Sequence, residues 1–478
     1  MNLRGVLFLL GRLLLALAVC LLVPAIVARG ELLVVFLSSA GITAVSGLIL
    51  ERTFRQGREF SFGRHEALVL VASAWLVATV FGSLPYILLK GPGFVVDGLF
   101  ESASGFTTTG ASIFTDVEAE PKALLLWRAF TQWLGGMGII VLGIAVLPKL
   151  AVGGMELLGA EAPGPITEKI RPRIAQTAKS LWGIYTLFTA LEVLVLTGLG
   201  LDFLEAVDQS FTTMATGGFS TRNASIAAFG SPAVEWTVTF FMFVAGANFA
   251  LHFQWIRGKV GVALRDPEFR TYVGVLVGGS ILIAVNLVLH KTCGLYEALR
   301  LAAFQVTSVV TTTGFATTDY DLWPHFSRAL LFVAMFVGGC AGSTGGSVKV
   351  VRVLIVLRKI GVDLRRMVRP HAVLPLKVGS RTIPESVVSA VTSFFVLFLL
   401  LFAIGGLSLT MMGMDPESSF SASAACLGNI GPGFGTVGPT MNYAHLPAAA
   451  KLLLAALMII GRLELYTILV IVFLRRWT

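Results

Sequence analysis

The sequence predicts an all-α integral membrane protein of about ten transmembrane helices plus four re-entrant half-helices. An N-terminal helix pair precedes four tandem units, each a long helix, a half-helix and a second long helix, set around a pseudo-four-fold axis. Three observations predict this: ten long apolar runs, an alternation of charge between successive loops, and a glycine-containing, hydroxyl-rich loop that recurs three times and, in altered form, a fourth.

Of the 478 residues, 55% are apolar and only 13% charged, too greasy for a string of soluble domains. The apolar runs lie near 3–28, 32–50, 67–90, 122–147, 178–200, 232–257, 271–292, 327–358, 383–413 and 447–474, each meeting the roughly 20 residues that span hydrocarbon. The first run, with Arg4 and Arg12, is longer than a signal-peptide core and lacks an A-x-A cleavage site, so a retained helix is expected. Cys20, Cys293, Cys340 and Cys426 are scattered without metal-ligand spacing and read as small hydrophobes.

A net charge of +9 raises the question of nucleic acid, but its placement answers against it. Basic residues gather in alternate loops: Arg52, Arg55, Arg58 and Arg64; Lys149, Lys169, Arg171, Arg173 and Lys179; Arg257, Lys259, Arg265 and Arg270; Arg358 through Arg381; and Arg475 with Arg476. Counted from a cytoplasmic N-terminus, all fall on one side, as the positive-inside rule requires, and the C-terminus is cytoplasmic too. The opposite loops carry Asp97, Glu101, Asp116, Glu118, Glu120, Asp202, Glu205, Asp208, Glu297, Asp319, Asp321, Asp415 and Glu417, which read mostly as solvated charge that raises the local cation concentration.

The recurring strings are SGFTTTGAS at Ser104–Ser112, TTMATGGFST at Thr212–Thr221, SVVTTTGFATT at Ser308–Thr318 and LGNIGPGFG at Leu427–Gly435. They superpose on Gly110, Gly217, Gly314 and Gly431, about a hundred residues apart, which leaves room for two spans and a loop. The segments before them, roughly 97–108, 203–215, 296–312 and 416–429, are too short to span and fit half-helices. This divides the chain into a helix pair at 1–65 and units at 66–177, 178–270, 271–382 and 383–478.

Glycine takes φ > 0 without a Cβ penalty, so successive carbonyls can be turned toward one axis, and threonine adds a stiff side chain with a bracing hydroxyl. Carbonyls so arranged replace the water around a small cation, and the half-helix C-terminal dipole adds partial negative charge. The loops thus point to an ion pathway.

In this pattern the chain resembles the TrkH/KtrB superfamily of potassium-uptake membrane subunits over essentially its whole length, and its N-terminal helix pair is more similar to TrkH of the Trk system than to KtrB. The resemblance implies four M1–P–M2 pore units with one filter glycine each. Carried over, the filter consists of Thr108, Thr109 and Gly110; Ala215, Thr216 and Gly217; Thr312, Thr313 and Gly314; and Asn429, Ile430 and Gly431. The fourth set keeps its glycine but lacks the hydroxyls, which puts perfect four-fold symmetry and strict sodium rejection in question.

FVGGCAGSTGGSVKV at Phe336–Val350 loads one helix interior with small residues, each Gly costing about 1 kcal/mol relative to Ala. A packing face and an unwound hinge both fit. The resemblance implies an intramembrane gate, at Gly338, Gly339, Gly342, Ser343, Thr344, Gly345 and Gly346. Arg462, near the middle of the last run, reads either as a partner of Glu192 or Glu464 or as part of the barrier, and the resemblance implies the barrier. It further implies a homodimer in the bacterial inner membrane, potassium as the transported ion, no nucleotide bound by this chain, and a cytosolic nucleotide-binding RCK ring of the TrkA kind as regulator. The basic loops Arg358–Arg381 and 149–179 are candidate docking surfaces for that ring.

Other chemistry is weakly represented. GFGTVG at Gly433–Gly438 matches a dinucleotide fingerprint without the βαβ context, the six histidines form no cluster, and Asn223-Ala224-Ser225 reads as a chance glycosylation sequon. Ser343 has no histidine nearby in sequence, which disfavours an intramembrane enzyme. The nearest rival is a potassium symporter coupled to sodium or protons, for which Glu192 is the main intramembrane carboxylate.

Overall fold

The computed structural model describes residues 3–55, 64–145, 170–372, 374–379 and 381–465. In chain order its principal helices are α1 (Leu3–Cys20), α2 (Leu22–Ala25), α3 (Glu31–Thr53), α4 (Arg64–Gly82), α5 (Leu84–Lys90), α6 (Val95–Phe106), α7 (Lys122–Ala145), α8 (Ile170–Gly198), α9 (Phe203–Met214) and α10 (Pro232–Gly246). They continue with α11 (Phe249–Ile256), α12 (Val260–Arg265), α13 (Pro267–Leu289), α14 (Leu295–Val310), α15 (His325–Ala334), α16 (Val350–Val368), α17 (Glu385–Met411), α18 (Pro416–Leu427) and α19 (Ala448–Arg462). One hairpin, β1 (Lys377–Val378) with β2 (Arg381–Thr382), follows α16.

Six stretches among the described residues are long and apolar enough to cross a membrane: Leu3–Ala25, Glu31–Thr53, Glu66–Lys90, Ala178–Gly198, Pro267–Leu289 and Glu385–Met411. The other four apolar runs behave differently. The runs at 122–147 and 447–474 extend past the described residues, so Arg475 and Arg476, like most of the 149–179 loop, lie outside them. The run at 232–257 is not one span: α10 and α11 meet at 102°. Asn248 breaks the helix, its side chain capping α11 by accepting from the Ala250 N–H at 2.8 Å, while the Phe249 N–H donates to the Gly342 carbonyl at 3.1 Å. The run at 327–358 divides likewise into α15 and α16, and the fifteen residues between them are not helical.

The short helices α6, α9, α14 and α18 each pack on the long helix before them. Three also pack on the closing helix of the preceding stretch: α6 on α19, α9 on α7 and α14 on α10. An ion pair marks every seam of this cycle. Lys122 of α7 faces Asp202 before α9 at 3.6 Å, Glu235 of α10 meets Arg300 of α14 at 2.9 Å, Arg328 of α15 meets Glu417 of α18, and Lys451 of α19 meets Asp97 of α6 at 2.5 Å. Several acidic residues expected to be solvated therefore have specific partners. Glu101 departs furthest from that expectation: it is fully buried and pairs with buried Arg128 at 2.7 Å.

A buried ion pair is costly to break by one partner, because the other is left desolvated and uncompensated, a penalty of about 3–5 kcal/mol. Arg128→Met should therefore lower the Tm of the detergent-solubilised protein sharply, and Glu101→Gln added to it should restore most of the loss; thermal unfolding of the two single variants and the double variant checks this.

Candidate functional site

All four short helices end in the same turn. In α6 the Thr108 N–H donates to the Gly105 carbonyl at 3.0 Å and the Thr109 N–H to Ser104 at 2.9 Å. The matching pairs are Thr216 to Thr213 (2.9 Å) and Gly217 to Thr212 (2.8 Å); Thr312 to Val309 (3.1 Å) and Thr313 to Ser308 (2.8 Å); and Asn429 to Cys426 (3.3 Å) and Ile430 to Ala425 (2.8 Å). This is the Schellman ending, whose pivot residue is left-handed and usually Gly or Asn. Here the pivots are Thr108 (φ 54°), Thr216 (φ 52°), Thr312 (φ 61°) and Asn429 (φ 53°). A β-branched residue in this region costs about 1–3 kcal/mol and persists only where its surroundings impose it.

Two residues after each pivot comes a glycine with positive φ: Gly110 (83°), Gly218 (75°), Gly314 (81°) and Gly431 (106°). In the second loop the equivalent glycine is thus Gly218, one residue beyond the expected Gly217, and Ala215 occupies the helix C-cap as Thr107, Thr311 and Gly428 do. The helix end sets the register: Gly218, two steps past the pivot, faces the third loop, while Gly217 presents its carbonyl to Gly110 of the first.

Those meetings close a cycle. A Cβ on Gly110 would fall on the Gly217 carbonyl oxygen, one on Gly218 on that of Thr313, one on Gly314 on that of Ile430, and one on Gly431 would lie 2.6 Å from that of Thr109. Thr108, Thr109, Thr216, Gly217, Thr312, Thr313, Asn429 and Ile430 are thereby brought together with the four glycines, and the eight named are essentially buried. Among the described residues no three His, Cys, Asp or Glu side chains could hold a metal, so a cation held here would meet neutral oxygens.

Several braces escaped the sequence reading. Gln132 of α7 grips the second loop from behind, its Nε2 donating to the Gly217 carbonyl at 2.7 Å and its Oε1 accepting from the Phe219 N–H at 3.1 Å. Arg128 donates to the Ser220 carbonyl at 3.2 Å, and Tyr443 donates its hydroxyl to the Gly431 carbonyl at 2.8 Å. Asn429 Nδ2 donates to Thr109 Oγ1 at 3.0 Å, crossing from the fourth loop to the first. The signal for Gln132 and Arg128 was present, since polar side chains within an apolar run usually face a partner. Asn223 of the supposed chance sequon accepts from the Val117 N–H at 2.7 Å and donates to Asp116 at 2.9 Å, a bond that holds the Asp116 carboxyl below its ordinary pKa.

The candidate gate residues lie in the non-helical segment between α15 and α16, beneath these loops. The Cys340 N–H donates to the Gly246 carbonyl at 2.9 Å, and Thr344 Oγ1 donates toward the Met214 and Ala245 carbonyls at 3.1 and 3.2 Å. Gly339 closes on the Gly246 carbonyl oxygen (3.0 Å from its Cβ position), Gly345 on that of Thr311 (2.9 Å), and Gly346 on that of Gly428. Gly338 and Gly342 take positive φ (78° and 75°), and Ser343 donates its hydroxyl to the Cys340 carbonyl at 2.7 Å.

Arg462 is buried and donates to the carbonyls of Thr344 (2.9 Å) and Gly135 (3.2 Å). Of the two expected carboxylate partners, Glu464 pairs instead with Arg352 at 2.5 Å. Glu192 is buried, and its oxygens have no hydrogen-bonding partner among the described residues.

A family model for TrkH, described as a cation transport protein, matches residues 42–475. The chain belongs to the TrkH family. Among the relatives of this TrkH-family chain, the Trk system potassium uptake protein TrkH of Salmonella typhimurium is 42% identical over 413 residues, 85% of this chain and 84% of that one. TrkH of Halomonas elongata is 38% identical over 477 residues, 98% of each chain. The crystal structure of the potassium transporter TrkH from Vibrio parahaemolyticus superposes with a TM-score of 0.90 at 36% identity, covering 98% of both chains. The relatives are potassium uptake transporters of the Trk system, a non-enzymatic family, and this TrkH-family chain is a multi-pass membrane protein.

In this TrkH-family chain the Gln132 clamp is measurable. Gln132→Leu leaves the Gly217 carbonyl and the Phe219 N–H buried without their partner, at about 1–3 kcal/mol. A clear fall in the Tm of the detergent-solubilised protein is expected.

Proposed function

We propose that this chain is the potassium-conducting membrane subunit of a Trk-type uptake system in a bacterial inner membrane, built as four M1–P–M2 units on a pseudo-four-fold axis with both termini cytoplasmic. The observation that carries the reading is the closed cycle in which the glycine of each loop lies against a carbonyl of the next. Four helix C-termini then direct partial negative charge toward one passage, and the main chain around Gly110, Gly218, Gly314 and Gly431 supplies oxygens in place of an ion's hydration shell. Thr108, Thr109, Thr216, Gly217, Thr312, Thr313, Asn429 and Ile430 complete the filter, and Ala215 supports it from the helix end.

Below the filter, Gly338, Gly339, Gly342, Ser343, Thr344, Gly345 and Gly346 form the gate, and Arg462 adds a positive charge to the barrier while bonded to the Thr344 carbonyl. Membrane potential supplies about 2.3 kcal/mol per charge per 100 mV, so a gated passive conduit suffices for accumulation. The chain works as a homodimer under a cytosolic nucleotide-binding RCK ring of the TrkA kind, which meets the basic surface of α16 and the hairpin after it.

Growth of a potassium-uptake-deficient bacterium on limiting potassium, combined with ion selectivity, tests the filter. Gly110→Ser and Gly314→Ser each place a Cβ against the next loop's carbonyl and should abolish growth rescue or lower potassium-over-sodium preference at least tenfold; unchanged preference in both would remove the four loops from the filter.

A coupled symporter is the second reading, and buried, unpartnered Glu192 is the observation that favours it. Flux under imposed sodium and proton gradients separates the two. A reversal potential that follows potassium alone is expected and excludes obligatory coupling; one that shifts with pH in the wild type but not in Glu192→Gln would establish it.

A further inference from the structure

The gate segment is tied to the scaffold by several main-chain bonds, but it reaches a filter side chain through Thr312. The Gly346 N–H donates to Thr312 Oγ1 at 2.7 Å. The other three pivots contrast with this one. Thr108 Oγ1 and Asn429 Oδ1 are buried without any hydrogen-bonding partner among the described residues, and the Thr216 hydroxyl donates to its own neighbour, the Ala215 carbonyl, at 2.7 Å. Buried polar atoms ordinarily have a partner; Thr108 and Asn429 are the equivalent pivots of the first and fourth loops, and Asn429 Oδ1 lies 3.3 Å from where a Cβ on Gly346 would stand.

We propose that Thr312 reports the position of the gate segment to the filter. With the segment seated, the Gly346 N–H points its partial positive charge at the Thr312 oxygen and withdraws it from any cation at that level. With the segment displaced, that oxygen joins those of Thr108 and Asn429, so opening adds a ligand for a weakly hydrated monovalent cation while it clears the path. The bond also stabilises the seated segment, so one hydroxyl sets both the resting leak and the affinity of the innermost filter layer. A hydroxyl has two lone pairs, so the Gly346 N–H opposes a cation at Thr312 through its partial positive charge and not by filling the oxygen.

This inference rests on the filter-and-gate reading, and its test separates the two. The full-length chain is reconstituted in liposomes and entry of radioactive rubidium is followed with and without competing sodium. Thr312→Val and Thr312→Ala remove the acceptor with two different bulks. Both should raise resting rubidium entry about tenfold, since each leaves the Gly346 N–H unmet in the seated state, and both should lower rubidium-over-sodium preference. Thr312→Ser restores the acceptor and should return both quantities toward wild type. If valine perturbs assembly, alanine and serine carry the decision. Resting entry unchanged in the acceptor-free variants, or raised equally by serine, overturns the role of Thr312. Should Gly110→Ser and Gly314→Ser still lose selectivity in that case, only this coupling falls; should they retain it, the filter reading falls independently.

Discussion

The structure depends on one constraint: four helix ends must stop so that the glycine two residues past each pivot lies flat against a carbonyl of the next loop. Space for a Cβ is missing at all four points, including the 2.6 Å approach at Gly431. Because the contacts run from first loop to second, third, fourth and back, displacement of one loop opens two seams. Protein interiors repack between discrete arrangements more readily than they deform continuously, so the cycle behaves as a unit.

The chain maintains this arrangement against its own local preferences. Three threonines are held left-handed, a conformation that glycine would adopt without strain. What over-determines them lies largely outside the loops, in the ion pairs at the seams, the buried Glu101–Arg128 pair and the Gln132 clamp, while Asn429 fastens the fourth loop to the first from within. Outside the ring, Asn223 links the second loop to the first, and Ser225 accepts from the Ala316 N–H of the third at 3.2 Å. The strain thus coincides with the proposed filter, where an irregular backbone is tolerated in a membrane because it is enclosed by protein.

The fourth loop shows how a departure from the repeat is absorbed. Asn429 replaces threonine at the pivot, where Asn is a common left-handed residue, and its longer side chain reaches both Thr109 and the Met458 carbonyl at 2.9 Å. The hydroxyls missing from this loop are replaced by an amide that fastens the fourth loop to the first. The symmetry is broken chemically while the backbone keeps it.

Much of this was legible in the sequence. Short helices occur at 95–106, 203–214, 295–310 and 416–427, within two residues of the segments expected, because span length and turn chemistry are local properties. At Phe336–Val350, where a packing face and an unwound hinge both fit the glycine content, the chain is non-helical as far as Lys349. What the sequence by itself determined was therefore the membrane class, the order of elements and the glycine loops. Only the tertiary structure decided that Gly218 rather than Gly217 faces the third loop, that the 232–257 run bends at Asn248, that Glu101 is buried with Arg128 and that Arg462 meets carbonyls. Each of those outcomes depends on a partner roughly 27 to more than 300 residues away, and side-chain periodicity carries no information about which distant oxygen will stand there.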